Sequence, residues 1–135
     1  MGGEGSRSLQ IAVGALYDRL TSHHQLHNLI WVYTSGGKRD WYPGDTMVDI
    51  VGADAYPADV ADPLSSLWED LRRQFDGKKM LTLSEFGGVP DVDRMAKFGV
   101  SWAYFASWNG DLGPRKVSMK ELIRLYNEKR VVNKK

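Results

Sequence analysis

Four short runs of β-branched, aromatic and aliphatic residues, spaced by turn signals and helix-period segments, constrain this chain most. The clearest is Met80-Leu-Thr-Leu-Ser-Glu-Phe86, entered through Gly77-Lys78-Lys79 and closed by Gly87-Gly88. An apolar run of that length between turn residues reads as a buried strand. Residues 29–33 (Leu-Ile-Trp-Val-Tyr, closed by Ser35-Gly36-Gly37), residues 48–56 and residues 100–107 read the same way.

Helical stripes fill the intervals. Leu9, Ala12, Val13, Leu16 and Leu20 recur at three- and four-residue steps, predicting an amphipathic helix over residues 8–22. Asp62-Pro63 predicts an N-cap with proline at the first helical position, followed by an apolar stripe of Leu64, Leu67, Trp68, Leu71 and Phe75 and an end at Gly77. Pro90-Asp91 opens a short helix to about Lys97, and Ser118-Met-Lys-Glu121 is a capping box for a last helix with Met119, Leu122, Ile123 and Tyr126 as its buried side. Strands alternating with helices predict an α/β fold with a parallel sheet. Four strands are too few for a closed barrel, which takes about eight strands and roughly 250 residues. Pattern alone therefore favours a small open sheet with helices on both faces.

Composition removes several function classes. A net charge of +1 gives no field that would gather nucleic acid or an anionic membrane, and the basic residues Lys129, Arg130, Lys134 and Lys135 read as a solvated tail. With no cysteine there is neither a disulfide nor a thiolate metal site. No apolar run approaches the roughly 20 residues that span a bilayer. The opening Met1-Gly-Gly-Glu-Gly-Ser lacks the apolar core of a signal peptide and reads as a flexible lead-in over residues 1–7. His23 and His27 lie four apart after the first helix, but no acidic partner is close by, so they read as a helix exit rather than a metal site.

Chemistry concentrates at strand ends. In parallel sheets, ligands gather at the carboxyl ends of the strands. Glu85 sits at such an end, before two glycines that permit a sharp turn. Asp54 and Tyr56 lie two apart at the end of another strand and so share a face. Trp31 and Tyr33 mark the first strand, Trp108 and Asn109 follow the last, and Trp41 lies on the loop Asp40-Trp-Tyr-Pro-Gly-Asp45.

These strings, taken together, resemble a known family. Asn28-Leu-Ile-Trp-Val32, Asp40-Trp-Tyr-Pro-Gly-Asp45, Val48-Asp-Ile-Val-Gly-Ala-Asp-Ala-Tyr56, Leu83-Ser-Glu-Phe-Gly-Gly88 and Tyr104-Phe-Ala-Ser-Trp-Asn-Gly110 occur in order. They look like the C-terminal half of glycoside hydrolase family 26, mostly endo-β-1,4-mannanases. The resemblance runs from about Leu9 to Tyr126. It implies the C-terminal half of a (β/α)8 barrel over residues 8–130, with a basic tail at 131–135, and retaining hydrolysis of β-mannan without metal or cofactor. It implies Glu85 as nucleophile, Tyr56 as the hydrogen-bond donor to it, Asp54 as a substrate-site aspartate and Trp108 as the ring that packs on the sugar. Trp31 and Trp41 match possible wall residues, and Asn109 a variable position.

The chemistry suits those residue types. Retaining hydrolysis uses two carboxyls about 5–5.5 Å apart, one attacking the anomeric carbon and one protonating the leaving oxygen. The family's proton donor lies in a His-Glu string that is absent here. Of the five glutamates, Glu4 has glycine neighbours and Glu69, Glu121 and Glu128 fall on helices. The expectation is weak or absent hydrolysis by this chain alone. The expected partners are a β-mannan or related polysaccharide, and either a missing half-barrel or a second copy of the chain. The resemblance implies an extracellular setting. A non-catalytic glycan-binding module is the competing reading. A nucleotide- or flavin-binding domain is disfavoured, because no Gly-x-Gly-x-x-Gly string follows a strand.

Overall fold

The computed structural model describes residues 4–34 and 39–132. The turn expected at Ser35-Gly36-Gly37, the first residues of the lead-in and the end of the basic tail lie outside the described residues. Helix α1 (Glu4–Asp18) runs into a π-helical turn (Arg19–His23). Then come β1 (Val32–Tyr33), a 3-10 turn (Arg39–Trp41), β2 (Ile50–Ala55), α2 (Ser65–Gln74), β3 (Met80–Phe86), α3 (Val92–Phe98) and β4 (Phe105–Ser107). Two 3-10 turns, Gly110–Leu112 and Pro114–Lys116, lead to α4 (Met119–Tyr126). The four strands form one parallel sheet in the order β1-β2-β3-β4.

One face of the sheet carries the core. Tyr33, Val51, Ala53, Leu81, Leu83 and Phe86 point to it and pack with Leu71, Phe75, Trp102 and Tyr42. Leu64, Leu67 and Trp68 lie partly buried against this cluster, so the stripe expected on α2 is the stripe it uses. Toward the carboxyl end, the opposite face is polar and close-packed. A Cβ on Gly52 would stand 2.4 Å from Ser84 Oγ and 3.2 Å from Thr34 Cγ2. Thr34, Gly52 and Ser84 therefore share that face, and by alternation Asp54 and Tyr56 share it too.

Several elements differ from the sequence expectation, each for a local reason. α1 starts at Glu4, ahead of the predicted residue 8. Its apolar stripe stays largely in solvent, with Leu16 at 52% exposure. A polar contact helps to tie it down: Gln10 Nε2 donates to the carbonyls of Asp40 (3.1 Å) and Tyr42 (3.0 Å). β1 shrinks to two residues because the Trp31 carbonyl is taken by two donors at once, Asp49 N and Ile50 N. Asp62 does accept from Leu64 N at 2.8 Å, but the helix begins only at Ser65. Pro63 is buried, its carbonyl receives the Trp102 indole N–H at 2.8 Å, and Leu64 turns to φ 53° before α2 can start.

The two later helices open where the caps predict. Asp91 accepts from Asp93 N and Arg94 N, and Ser118 accepts from Glu121 N. The buried side of α4 keeps one of the four expected residues, Leu122. Met119, Ile123 and Tyr126 are exposed, whereas Leu125 is buried and Leu122 packs beside it. Charged contacts also join this helix to α3. The Arg124 guanidinium donates to Asp91 (2.9 Å), Asp93 (2.6 Å) and Glu121 (2.9 Å), which rotates α4 toward α3.

The Asp40–Asp45 string has a structural role. Tyr42 is buried edge-on against Tyr33 and Phe75, with ring centroids 5.4 and 4.9 Å away. Its hydroxyl donates to Asp45 Oδ1 at 2.8 Å, and Lys79 Nζ donates to the carbonyls of Asp45 (2.9 Å) and Val48 (2.6 Å). Burial, then the Asp45 bond, pushes the Tyr42 phenol up, while the same bond holds the Asp45 carboxyl below its ordinary value of 3.8. The folded Asp45 thus has the depressed pKa. Its contribution is present above pH 3.8 and is lost as pH falls through the folded value. Tyr42→Phe should lower stability at neutral pH and flatten the loss of stability below about pH 4, because Asp45 then returns toward its unfolded value. Urea unfolding of both proteins at neutral and acid pH measures this.

Candidate active site

Simple alternation along β3 would place Glu85 with Leu81 and Leu83, inside the helix-covered core. The register prevents it. Ala53 pairs with Leu83, but the next residue of β2, Asp54, pairs with Glu85, leaving Ser84 as an extra residue on β3. Such a bulge re-aims the side chains beyond it. Ser84 and Glu85 both turn to the polar face, while Phe86 drops into the core at 0% exposure.

Glu85 thereby meets the end of β2. The Tyr56 hydroxyl donates to Glu85 Oε1. Ser84 Oγ donates to Asp54 Oδ1 at 2.7 Å and approaches the Ala53 carbonyl at 3.2 Å. The Tyr56 phenol is pushed up to about 12, first by loss of surrounding water, then by the bond to Glu85 and the charges of Glu85 and Asp54. It therefore remains a proton-bearing donor across the physiological range. Two carboxyl side chains and a phenol stand together at the carboxyl end of the sheet, with the hydroxyl aimed at only one of the carboxyls.

β4 brings the third element. Trp108 N donates to the Phe86 carbonyl at 2.9 Å, which sets Trp108 beside the residue following Glu85. Its side chain is 42% exposed, a large apolar face left to solvent at the rim. Asn109 follows in extended conformation (φ −94°, ψ 172°) and is exposed. The loop returns at Gly113, where a Cβ would stand 1.7 Å from the Trp108 carbonyl oxygen. Only glycine allows that approach.

Trp31 is not brought to this end. Trp31 precedes β1, donates its N–H to Asp49 Oδ2 at 2.8 Å, and packs its ring on Tyr17 at 5.1 Å. That is the amino end of the sheet. Trp41 lies next to Arg39, whose guanidinium reaches the carbonyl of Gln74 at the end of α2, and packs near Gly5 of α1. His23 and His24 meet edge to face at 4.8 Å, and among the described residues no group of three His, Asp or Glu side chains is arranged to hold a metal.

Sequence reasoning missed Ser84, which orients Asp54. Its signal was present: two polar residues in succession, Ser84-Glu85, break the period of two just where the bulge lies. The other glutamates are engaged elsewhere. Glu69 pairs with Arg72 and Arg73, Glu121 with Arg124, Glu128 with Arg130, and Glu4 opens α1.

Comparison with known proteins places the fold. A mannan endo-1,4-beta-mannosidase of Thermothelomyces thermophilus is 43% identical over 93 residues, spanning 69% of this chain and 19% of that protein. Mannan endo-1,4-beta-mannosidase A of a Piromyces species is 33% identical over 120 residues, 87% of this chain and 19% of that one. Among solved structures, the Podospora anserina GH26-CBM35 β-(1,4)-mannanase superposes with a TM-score of 0.84 at 35% identity, covering 91% of this chain and 28% of its own. The β-mannanase from a symbiotic protist of the termite Reticulitermes speratus, solved with gluco-manno-oligosaccharide, superposes with a TM-score of 0.80 at 28% identity. This chain thus spans about one fifth of the relatives it matches in sequence, and its four parallel strands are part of a (β/α)8 barrel. The pattern of glycosyl hydrolase family 26 matches residues 11–135, and the chain belongs to that family.

Proposed function

We propose that this chain carries the nucleophile half of a retaining β-1,4-mannanase, with Glu85 as the nucleophile. The observation that supports this reading most is the Tyr56 hydroxyl donating to Glu85 at the carboxyl end of the parallel sheet. A phenol fixed on one carboxylate oxygen leaves the other free to attack. In the first step a Glu85 oxygen bonds to the anomeric carbon as the glycosidic C–O bond breaks, and a separate carboxylic acid protonates the leaving oxygen. In the second step water displaces Glu85 and the sugar leaves with retained configuration. Asp54, held by Ser84, takes a sugar hydroxyl, and Trp108 offers its ring to the C–H face of a pyranose.

Glu69, Glu121 and Glu128 are held by arginines on helices and Glu4 opens α1, so on this reading the acid comes from the other half of the barrel. The chain then hydrolyses weakly or not at all by itself. Apolar surface left open at both edges of the sheet fits the same reading. Ile30 is 72% exposed beside β1, Tyr104 is 41% exposed beside β4, and a 470 Å³ apolar groove lies between β4 and α4. The other half-barrel, or a second copy, covers these edges. The setting is extracellular, by analogy with enzymes that act on polysaccharide; among the described residues no helix is long and apolar enough to cross a membrane. A second reading, a glycan-binding module without catalysis, is favoured by the same lack of a second glutamate.

The test is an assay on galactomannan, with the chain alone and mixed with a polypeptide spanning the other half of the barrel. The expected result is restored hydrolysis in the mixture and its loss by about 10³ or more in Glu85→Ala. Unchanged hydrolysis in Glu85→Ala would sink the nucleophile assignment. No hydrolysis in any mixture, with oligosaccharide binding retained, would favour the binding module. Gly113→Ala, which drives a methyl into the Trp108 carbonyl, should weaken manno-oligosaccharide binding by about tenfold, as read by calorimetry.

A further inference from the structure

The turn after β3 lies against Tyr56 at a separation only glycine tolerates. A Cβ on Gly87 would stand 2.5 Å from Cδ1 of the Tyr56 ring and 3.2 Å from its Cα. Retreat is blocked, because Gly87 N donates to the Ala55 carbonyl at 2.9 Å as a continuation of the sheet. The next residues tighten the same junction. Val89 N donates to Val60 O at 3.0 Å and Asp91 N to Ala61 O at 3.1 Å, and Arg94 pairs with Asp59 at 2.5 Å. The ion pair is the weaker tie. Its side chains are 40% and 53% exposed, and such pairs shift an equilibrium by no more than about fivefold. Forcing a methyl into a packed site shifts it by about fivefold to a hundredfold. Steric fit at Gly87 therefore dominates.

We propose that Gly87 is a positioning residue for the Glu85 reaction: its missing side chain is what lets the Tyr56 ring lie against the end of β3 and bring its hydroxyl to Glu85. The proposal rests on the reading of Glu85 as nucleophile. Gly87 touches neither the sugar nor Glu85 in this role; it acts through the Tyr56 ring.

The Tyr56 hydroxyl reports the placement directly, through its titration in the chain labelled with ¹³C at tyrosine Cζ, the Tyr56 signal being assigned by Tyr56→Phe. At about pH 10.5 the parent signal should remain protonated, since the phenol is pushed up to about 12. In Gly87→Ala the midpoint should fall by about one pH unit or more, because water returns and the Glu85 bond is lost. Asp59→Asn should move it less. The same midpoint in a folded Gly87→Ala overturns the proposal. If Gly87→Ala fails to fold, Gly87→Ala combined with Tyr56→Ala decides: recovered folding supports the clash with the ring, and continued failure overturns it. The titration needs no substrate, so it is independent of the Glu85→Ala assay. In the mixed, active preparation, Gly87→Ala should lower kcat more than it raises KM; a displaced Tyr56 with unchanged kcat also overturns the role.

Discussion

The candidate site depends on one slip of register between β2 and β3. Without the bulge at Ser84, regular alternation would send Glu85, two residues after Leu83, into the helix-covered core. A carboxylate there would lose its water with no partner in reach, a cost of several kcal/mol. With it, Glu85 stands opposite Asp54 on the polar face, and Phe86 takes the core position instead. Burial of Phe86 and placement of Glu85 are thus the same event. The apolar side chain pins the strand beyond the bulge, and the strand presents the acid.

The loops around that point are set by close backbone contact more than by side-chain bonds. Gly87 meets Tyr56, Gly88 meets Val60, and Gly113 meets Trp108. At Gly88 the backbone also needs φ +129°, and a Cβ there would stand 2.4 Å from the Val60 carbonyl. Three glycines at three junctions let the loops after β2, β3 and β4 crowd together. The rigid sheet beneath gives them a common origin, which is why the phenol-to-carboxylate contact persists on a half-exposed rim.

Electrostatics orders the other flank. Arg124 and Arg130 converge on Asp93, and Asp91 caps α3 while accepting from Arg124. Individually such exposed pairs contribute little, but a shared network fixes the rotation of α4. Met119, Ile123 and Tyr126, which sequence periodicity assigned to its buried side, stay exposed, while Leu122 packs inward, and the groove under β4 stays open. α1 behaves likewise at the opposite edge, where a clear apolar stripe finds no full partner. Both discrepancies arise at the sheet's unpaired edges, β1 and β4.

From the sequence alone came the α/β class, the parallel strands, the caps at Asp91 and Ser118, and the family resemblance carried by Glu85, Tyr56, Asp54 and Trp108. These are local: hydrophobic period, turn chemistry and short strings are written in consecutive residues. Trp31 was misplaced because a residue near a strand is not thereby at the strand's carboxyl end: it precedes β1. The bulge at Ser84, the ring contact at Gly87, the late start of α2 and the true inner side of α4 were decided only in three dimensions. Each depends on a partner 20 or more positions away — Asp54, Tyr56, Trp102 and Asp91 in turn — and a one-dimensional period holds no record of which distant residue will arrive there.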